Sequence, residues 1–329
     1  MKRRFSTLAI ATILGLSAGF ANADPVKVKD ILDREVTVDL PAKRVVLGFY
    51  YQDYMAVGGD KALDNVVGFS KKVWSSWAPA SWELFSKAVP KLNQLDDVGE
   101  VEEGTFSVEK VLSLKPDLLV LADWQYEMLG SDLDAINEAG IPIVVLDYNA
   151  QTLDKHIKST EIIGELTSQK DRAAKIAKEY KDIVEHIQTT VKNAKLVKQP
   201  KVYVEFGRGG PAEQGMTFFS SMWGSMISLV GAENVAPAEI GKWGTLAAEK
   251  VLAAKPDAII ITGRETELKK NQDGMVMGFG IEKAEAERRL NAFKHRAGWA
   301  ELPAVKTTVF MQPIMRTLVL YQIVLLFSL

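Results

Sequence analysis

The sequence predicts an α/β protein of two similar lobes, with mainly parallel sheets flanked by helices and a long connecting α-helix between them. Three observations predict it. The first is an internal repeat. Ser107–Ala122 reads SVEKVLSLKPDLLVLA and Ala247–Thr262 reads AAEKVLAAKPDAIIIT, 140 residues apart with seven of sixteen positions identical. The second lies inside each copy. A short helix is stopped by Lys-Pro-Asp, because proline cannot continue a helix and aspartate suits the turn. The run that follows is apolar on both faces, which suits a buried parallel strand. The third is the stretch between the copies, Thr152–Ala194. Its second half repeats Ala173, Ile176, Tyr180, Ile183, Ile187 and Val191 at three- or four-residue spacing, one apolar stripe on a helix.

From the N-terminus, Met1-Lys2-Arg3-Arg4 gives a positive start, Leu8–Phe20 an apolar stretch, and Ala21-Asn22-Ala23 a small-x-small cleavage pattern. Residues 1–23 therefore read as a secretory signal peptide. The apolar stretch is shorter than the ~20 residues a spanning helix needs. Residues 24–150 form the expected N-terminal lobe, opening on the strand Arg44–Phe49, with Ile143–Leu146 as a late strand. Residues 151–195 form the helical connector. It breaks near Thr167-Ser168, with Ser168 as the expected N-cap. The ~27 residues after the break span about 40 Å at 1.5 Å per residue, enough to bridge two lobes. Residues 196–308 form the C-terminal lobe, opening on Lys201–Phe206, and 309–329 an anomalous tail.

Composition narrows the function. The chain has no cysteine, so no disulfide supports it and no thiol is present for lipid acylation. Without the signal, 37 Lys+Arg stand against 42 Asp+Glu, a net charge of −5. That argues against nucleic acid, which needs a basic face. There is no Gly-x-Ser-x-Gly elbow and no cysteine nucleophile. The adjacent pairs Asp96-Asp97 and Glu102-Glu103 would not face each other within one element, and read as solvated loop charge. His156, His186 and His295 are the only histidines; no His/Asp/Glu cluster has metal-ligand spacing, and each reads as a surface side chain. Gly207-Arg208-Gly209-Gly210 lacks the Gly-Lys-Ser/Thr of a phosphate loop and the spacing of a dinucleotide loop.

The repeat, the connector and the export signal together resemble the helical-backbone class of ABC-importer binding proteins, which carry ferric siderophores, haem and cobalamin. The matching pieces are DREVTVDLPAKRVV (33–46), the Val98–Leu121 segment with SVEKVLSLKPDLLVL, AGIPIVVLD (139–147) and AAEKVLAAKPDAIII (247–261). The resemblance implies a ligand cleft between the lobes. It also implies a surface glutamate on each lobe that docks on arginines of the permease; by position these are Glu109 and Glu249. They occupy the same slot of the repeat, and pseudo-symmetric acids suit a symmetric dimeric partner.

In a two-lobed carrier the ligand sits at the loops that follow the strands. Those loops hold Tyr50, Tyr51 and Tyr54 after the first strand, then Trp74, Trp77 and Trp82. Trp124 follows the first repeat strand, Arg208 the opening strand of lobe two, and Arg264 the second repeat strand; Trp243 precedes Glu249 by six residues. Aromatic rings stack on flat or greasy surfaces, and arginine forks match anionic oxygens. The expected ligand contacts are Tyr50, Tyr51, Trp77, Trp124, Arg208, Trp243 and Arg264, with the tryptophan cluster serving as either a lid or a satellite core. The expected ligand is a ferric chelate, with haem, a corrinoid or an oxyanion as alternatives and a periplasmic two-domain hydrolase as the competing class. No cofactor or bound metal is expected. The partners are a permease dimer with its ATPase, the carrier is a monomer, and its place is the periplasm. The tail Val309–Leu329 matches nothing in the family pattern, and a frameshift is the expected cause.

Overall fold

The computed structural model describes residues 25–195, 197–306 and 310–311. The expected signal peptide and nearly all of the tail, with the frameshift expected there, lie outside the described residues. The chain opens with an antiparallel hairpin, β1 (Val26–Lys29) and β2 (Glu35–Val38), which stands apart from the two main sheets.

Lobe one follows. It consists of β3 (Val45–Leu47), α1 (Tyr51–Gly58), β4 (Val66–Phe69), α2 (Lys71–Trp77), α3 (Pro79–Ala88), α4 (Lys91–Gln94), β5 (Asp96–Asp97), α5 (Val108–Ser113), β6 (Leu118–Ala122), α6 (Asp123–Leu129), α7 (Asp134–Glu138) and β7 (Ile143–Leu146). The five strands form one parallel sheet in the order β5-β4-β3-β6-β7. All five residues of β6 are buried, as an apolar run covered on both faces requires. Leu118, Val120 and Ala122 pack into one hydrophobic cluster, Leu119 and Leu121 into another, because successive side chains leave a strand on opposite faces.

The connector is two helices, α8 (Leu153–Leu166) and α9 (Lys170–Asn193). At 1.5 Å per residue the 24 residues of α9 run about 36 Å. Near its start Ala173 joins the core of lobe one, and Arg172 donates to the Ala56 carbonyl. Near its end Ile187 packs on Met226, and Gln188 donates to the Leu229 carbonyl of lobe two. The apolar stripe is therefore real, and it is split between two cores. Ser168 does not cap α9: it sits in the turn between the helices at φ 57°, its amide donating to the Glu165 carbonyl, and Gln169 holds the cap position without a side-chain bond. The turn needs a left-handed residue there, which an extended N-cap cannot supply.

Lobe two holds β8 (Lys201–Phe206), β9 (Met216–Phe218), α10 (Met222–Leu229), β10 (Glu233–Asn234), β11 (Trp243–Thr245), α11 (Ala248–Ala254), β12 (Ala258–Thr262), α12 (Glu267–Lys270), α13 (Lys283–Lys294), α14 (Pro303–Lys306) and β13 (Phe310–Met311). Its sheet runs β11-β9-β8-β12-β13, with β10 pairing on β8. Strands β8, β12 and β13 are mutually parallel, so β13 takes beside β12 the place that β7 takes beside β6. The repeat is thus structural: β12 is buried along its length and alternates between two clusters as β6 does.

Candidate ligand-binding site

The loop after β12 meets lobe one across the seam between the lobes. Thr262 is followed by Gly263, whose missing Cβ makes room for the Met275 carbonyl; an added Cβ would lie 2.0 Å from that oxygen. This close pass fixes the direction of the next residue, Arg264. Its guanidinium lies over the Trp77 ring of lobe one at 3.7 Å and over the Phe206 ring of its own lobe at 5.1 Å. Its Nη2 donates to both carboxylate oxygens of Glu102, each at 3.1 Å. The Trp77 indole N–H donates to Glu103 at 2.8 Å. The next residue, Glu265, is buried and accepts from the Ala80 amide at the start of α3 and from the Gly280 amide. Two consecutive residues of lobe two are therefore held by lobe one.

Elsewhere on the seam, Lys242 donates to Asp123 at 2.9 Å and also pairs with Glu127, both on α6. Trp243 is partly buried and packs against hydrophobic clusters of both lobes. The Met222 amide donates to the Asn149 carbonyl at 2.7 Å. Phe49, two residues beyond β3, gathers the lobe-one rings: Trp74, Trp124 and Trp77 lie 4.9, 5.3 and 6.3 Å from it. The indole nitrogen of Trp124 is buried and has no hydrogen-bond partner among the described residues. A buried donor left unpaired costs about 1–3 kcal/mol.

The seam thus collects Trp77, Trp243 and Arg264, whereas Trp124 is buried in the lobe-one core, packed on Phe49. Arg208 is exposed on the loop after β8, with its guanidinium 5.9 Å from the Phe206 ring. That loop is braced from below: Arg296 makes two hydrogen bonds to the buried Glu205 carboxylate and donates to the Pro211 and Glu213 carbonyls.

The tyrosines differ from expectation. Tyr51 is 1% exposed and packs on Phe69, Trp74 and Phe85 in the core. The first turn of α1 faces inward, so Tyr51 is a core residue rather than a cleft wall. Burial pushes its hydroxyl up to about 12 and raises that of Tyr50 well above its usual value, so neither supplies a phenolate at neutral pH. The Tyr50 hydroxyl accepts from the Tyr148 and Asn149 amides and so holds the loop that meets lobe two. Trp74 and Trp82 pack against the lobe-one core, as a satellite of it.

Two further readings are corrected. Glu102 and Glu103 are not merely solvated; they engage Arg264 and Trp77, and no pattern in the sequence pairs residues so far apart. Asp97 likewise accepts from the Lys72 amide, and Asp96 pairs with Lys110. His156 is buried rather than on the surface, bonded to the Tyr148 carbonyl at 2.8 Å and stacked on Tyr180 at 4.8 Å; burial lowers its pKa. Among the described residues no group of three or more His, Cys, Asp or Glu is arranged to hold a metal ion, and no helix is long and apolar enough to cross a membrane.

The sequence profile of the periplasmic binding protein family matches residues 51–311. The chain belongs to that family. Its members are substrate-binding proteins rather than enzymes, and they serve ABC importers. The chain is 26% identical over 285 residues to the uncharacterized ABC transporter substrate-binding lipoprotein YvrC of Bacillus subtilis, covering 86% of this chain and 76% of that one. It is 25% identical over 197 residues to the vitamin B12-binding protein of Pectobacterium atrosepticum, covering 59% of this chain and 66% of that one. The crystal structure of the TroA-like periplasmic binding protein FepB from Veillonella parvula superposes with a TM-score of 0.75 at 30% identity, covering 88% of this chain and 84% of that one. This binding protein therefore shares its two-lobe fold with a family of importer components.

Proposed function

We propose that this binding protein captures an iron(III) chelate of the siderophore type in the seam between its lobes and delivers it to the permease dimer of an ABC importer. The observation that carries this reading is the Arg264 guanidinium lying on Trp77 at the seam, with Trp243 packed against the cores of both lobes. Stacking surfaces beside a planar cationic fork suit a bulky, partly aromatic, anionic ligand. In this reading Arg208 is a second anion contact that closes on the ligand from its exposed loop.

Glu109 and Glu249 are both exposed in the first turns of α5 and α11, one on each lobe. They are the proposed docking pair for basic residues of the permease. The protein itself carries out no reaction; the partner ATPase supplies the energy. In this reading residues 1–23 export it to the periplasm, where it acts as a monomer. The long α9 anchors in both lobes, which limits opening to small amplitudes.

A corrinoid is the second reading. Relatives named for vitamin B12 support it, and so does the seam's own charge pairing, since Arg264 and Lys242 both already face carboxylates. The deciding experiment is a tryptophan-fluorescence titration with iron(III) tricatecholate, iron(III) trihydroxamate, haem and cobalamin, followed by native mass spectrometry. Quenching by an iron chelate that is weakened, though still measurable, in Trp77→Ala and Arg264→Gln supports the proposal. Binding of cobalamin alone replaces it with the second reading. Binding of none of these, with turnover of an ester or glycoside, would return the two-domain hydrolase.

A further inference from the structure

The turn Val101–Gly104 carries Glu102 and Glu103, and together they occupy the two groups most suited to a ligand. The turn is built to stay in place. Gly99 sits at φ 77°, where an added Cβ would lie 1.9 Å from the Thr105 carbonyl oxygen. The buried Glu100 carboxylate accepts from the Val101 amide at 2.7 Å and from the Gln125 side chain at 3.0 and 3.1 Å. The acidic turn is thus fastened to the floor of lobe one while its two carboxylates reach for the seam.

The contact with Arg264 is made in a weak form. One nitrogen, Nη2, serves both Glu102 oxygens at 3.1 Å. A fork-to-fork pair uses two nitrogens on two oxygens at about 2.7–2.9 Å. Both side chains keep contact with solvent, 24% and 36% exposed, and such pairs hold only loosely. A ligand offering two adjacent anionic oxygens would bind the same guanidinium better than Glu102 does.

We propose that Glu102 is an internal stand-in for the ligand: it holds Arg264 on Trp77 while the cleft is empty, and an anionic oxygen pair of the incoming chelate displaces it. This rests on the reading that the ligand enters at the seam. It adds that the turn selects for anionic chelates able to outbid a carboxylate, and that displacement uncouples Arg264 from lobe one as cargo arrives.

The test uses the whole protein and iron(III) tricatecholate as probe. Glu102→Gln keeps the shape of the side chain and removes its charge. We expect it to tighten binding of the probe by about two- to fivefold, the range an exposed ion pair allows. The gain vanishes in an Arg264→Gln background. Wild-type binding that Glu102→Gln leaves unchanged or weakens overturns the stand-in and leaves the carrier reading intact. If the wild type binds none of tricatecholate, trihydroxamate, haem and cobalamin, the carrier reading fails instead. The latch is then decided without ligand by fluorine NMR of 5-fluorotryptophan-labelled protein, with the Trp77 signal assigned from Trp77→Phe. A Trp77 resonance that shifts or broadens in Glu102→Gln keeps the latch; an unmoved one removes it.

Discussion

In lobe one the strand on the far side of β3 from β6 is β4, which runs parallel to β3; in lobe two that edge of β8 is divided between the short β10, parallel at the Lys201 end, and β9, antiparallel at the Phe206 end. The other half of each sheet is the same, a central strand beside the repeat strand. A parallel neighbour needs a crossover, and α1 provides it, leaving room for α2 and α3 with Trp77 to extend over the seam. An antiparallel neighbour needs only a turn, and the β9–β11 ribbon brings Trp243 onto both cores. One repeated unit thus supplies the frame, and the unmatched half of each lobe supplies different chemistry to one seam.

The lobes also treat buried carboxylates differently. Glu205 in lobe two is fully buried and carries the guanidinium of Arg296. Glu100 in lobe one is equally buried but meets neutral donors, the Val101 and Glu102 amides, Gln125 and Ser70, and burial raises its pKa to about 7. The largest expected effect tests this contrast. Arg296→Ala strands Glu205 and should cost about 3–5 kcal/mol, read as an early urea transition of lobe two. A loss below 1 kcal/mol would show that the pair braces nothing.

Next, Leu121 and Ile261 hold the same slot of the repeat and are both fully buried. Leu121→Ala and Ile261→Ala should each lower stability by about 2–5 kcal/mol. Costs differing by more than that spread would deny that the two cores are equivalent.

Glu100 gives a pH signature. Its folded pKa of about 7 lies above the ordinary 4.5. Between those values the unfolded chain loses this proton and the folded chain keeps it. The group's contribution is full below about 4.5 and is lost as pH rises toward 7. In urea melts from pH 4.5 to 7.5, Glu100→Gln should gain stability relative to wild type through that window. A constant difference across it would sink the assignment.

The smallest effect concerns caps. The Ser107 hydroxyl accepts from the Lys110 amide at the start of α5, whereas Ala247 offers α11 nothing. Ser107→Ala should cost about 1 kcal/mol, and Ala247→Ser should return part of that to lobe two. Thermal melts of the two variants read both signs.

The two-lobe plan was legible because it rests on local rules. Lys-Pro-Asp ends a helix wherever it stands, and a run apolar on both faces needs cover on both faces. The stripe from Ala173 to Ile187 likewise announced a long helix, and the structure added which lobe each end serves. Trp243 and Arg264 could be placed near the seam because they follow or flank those elements. Tyr51 could not be assigned, since only packing tells whether a first-turn ring looks into the core or the cleft.

What the amino-acid order determined alone was the repeat, the strands that follow it and the helix between, each set by neighbours within a few residues. What only tertiary structure decided was the pairing across the seam. Glu102 meets Arg264 across 162 residues of chain, and Glu265 accepts from the Ala80 amide across 185. Such contacts arise from how two finished lobes come to rest against each other, and no periodicity in the chain encodes that geometry.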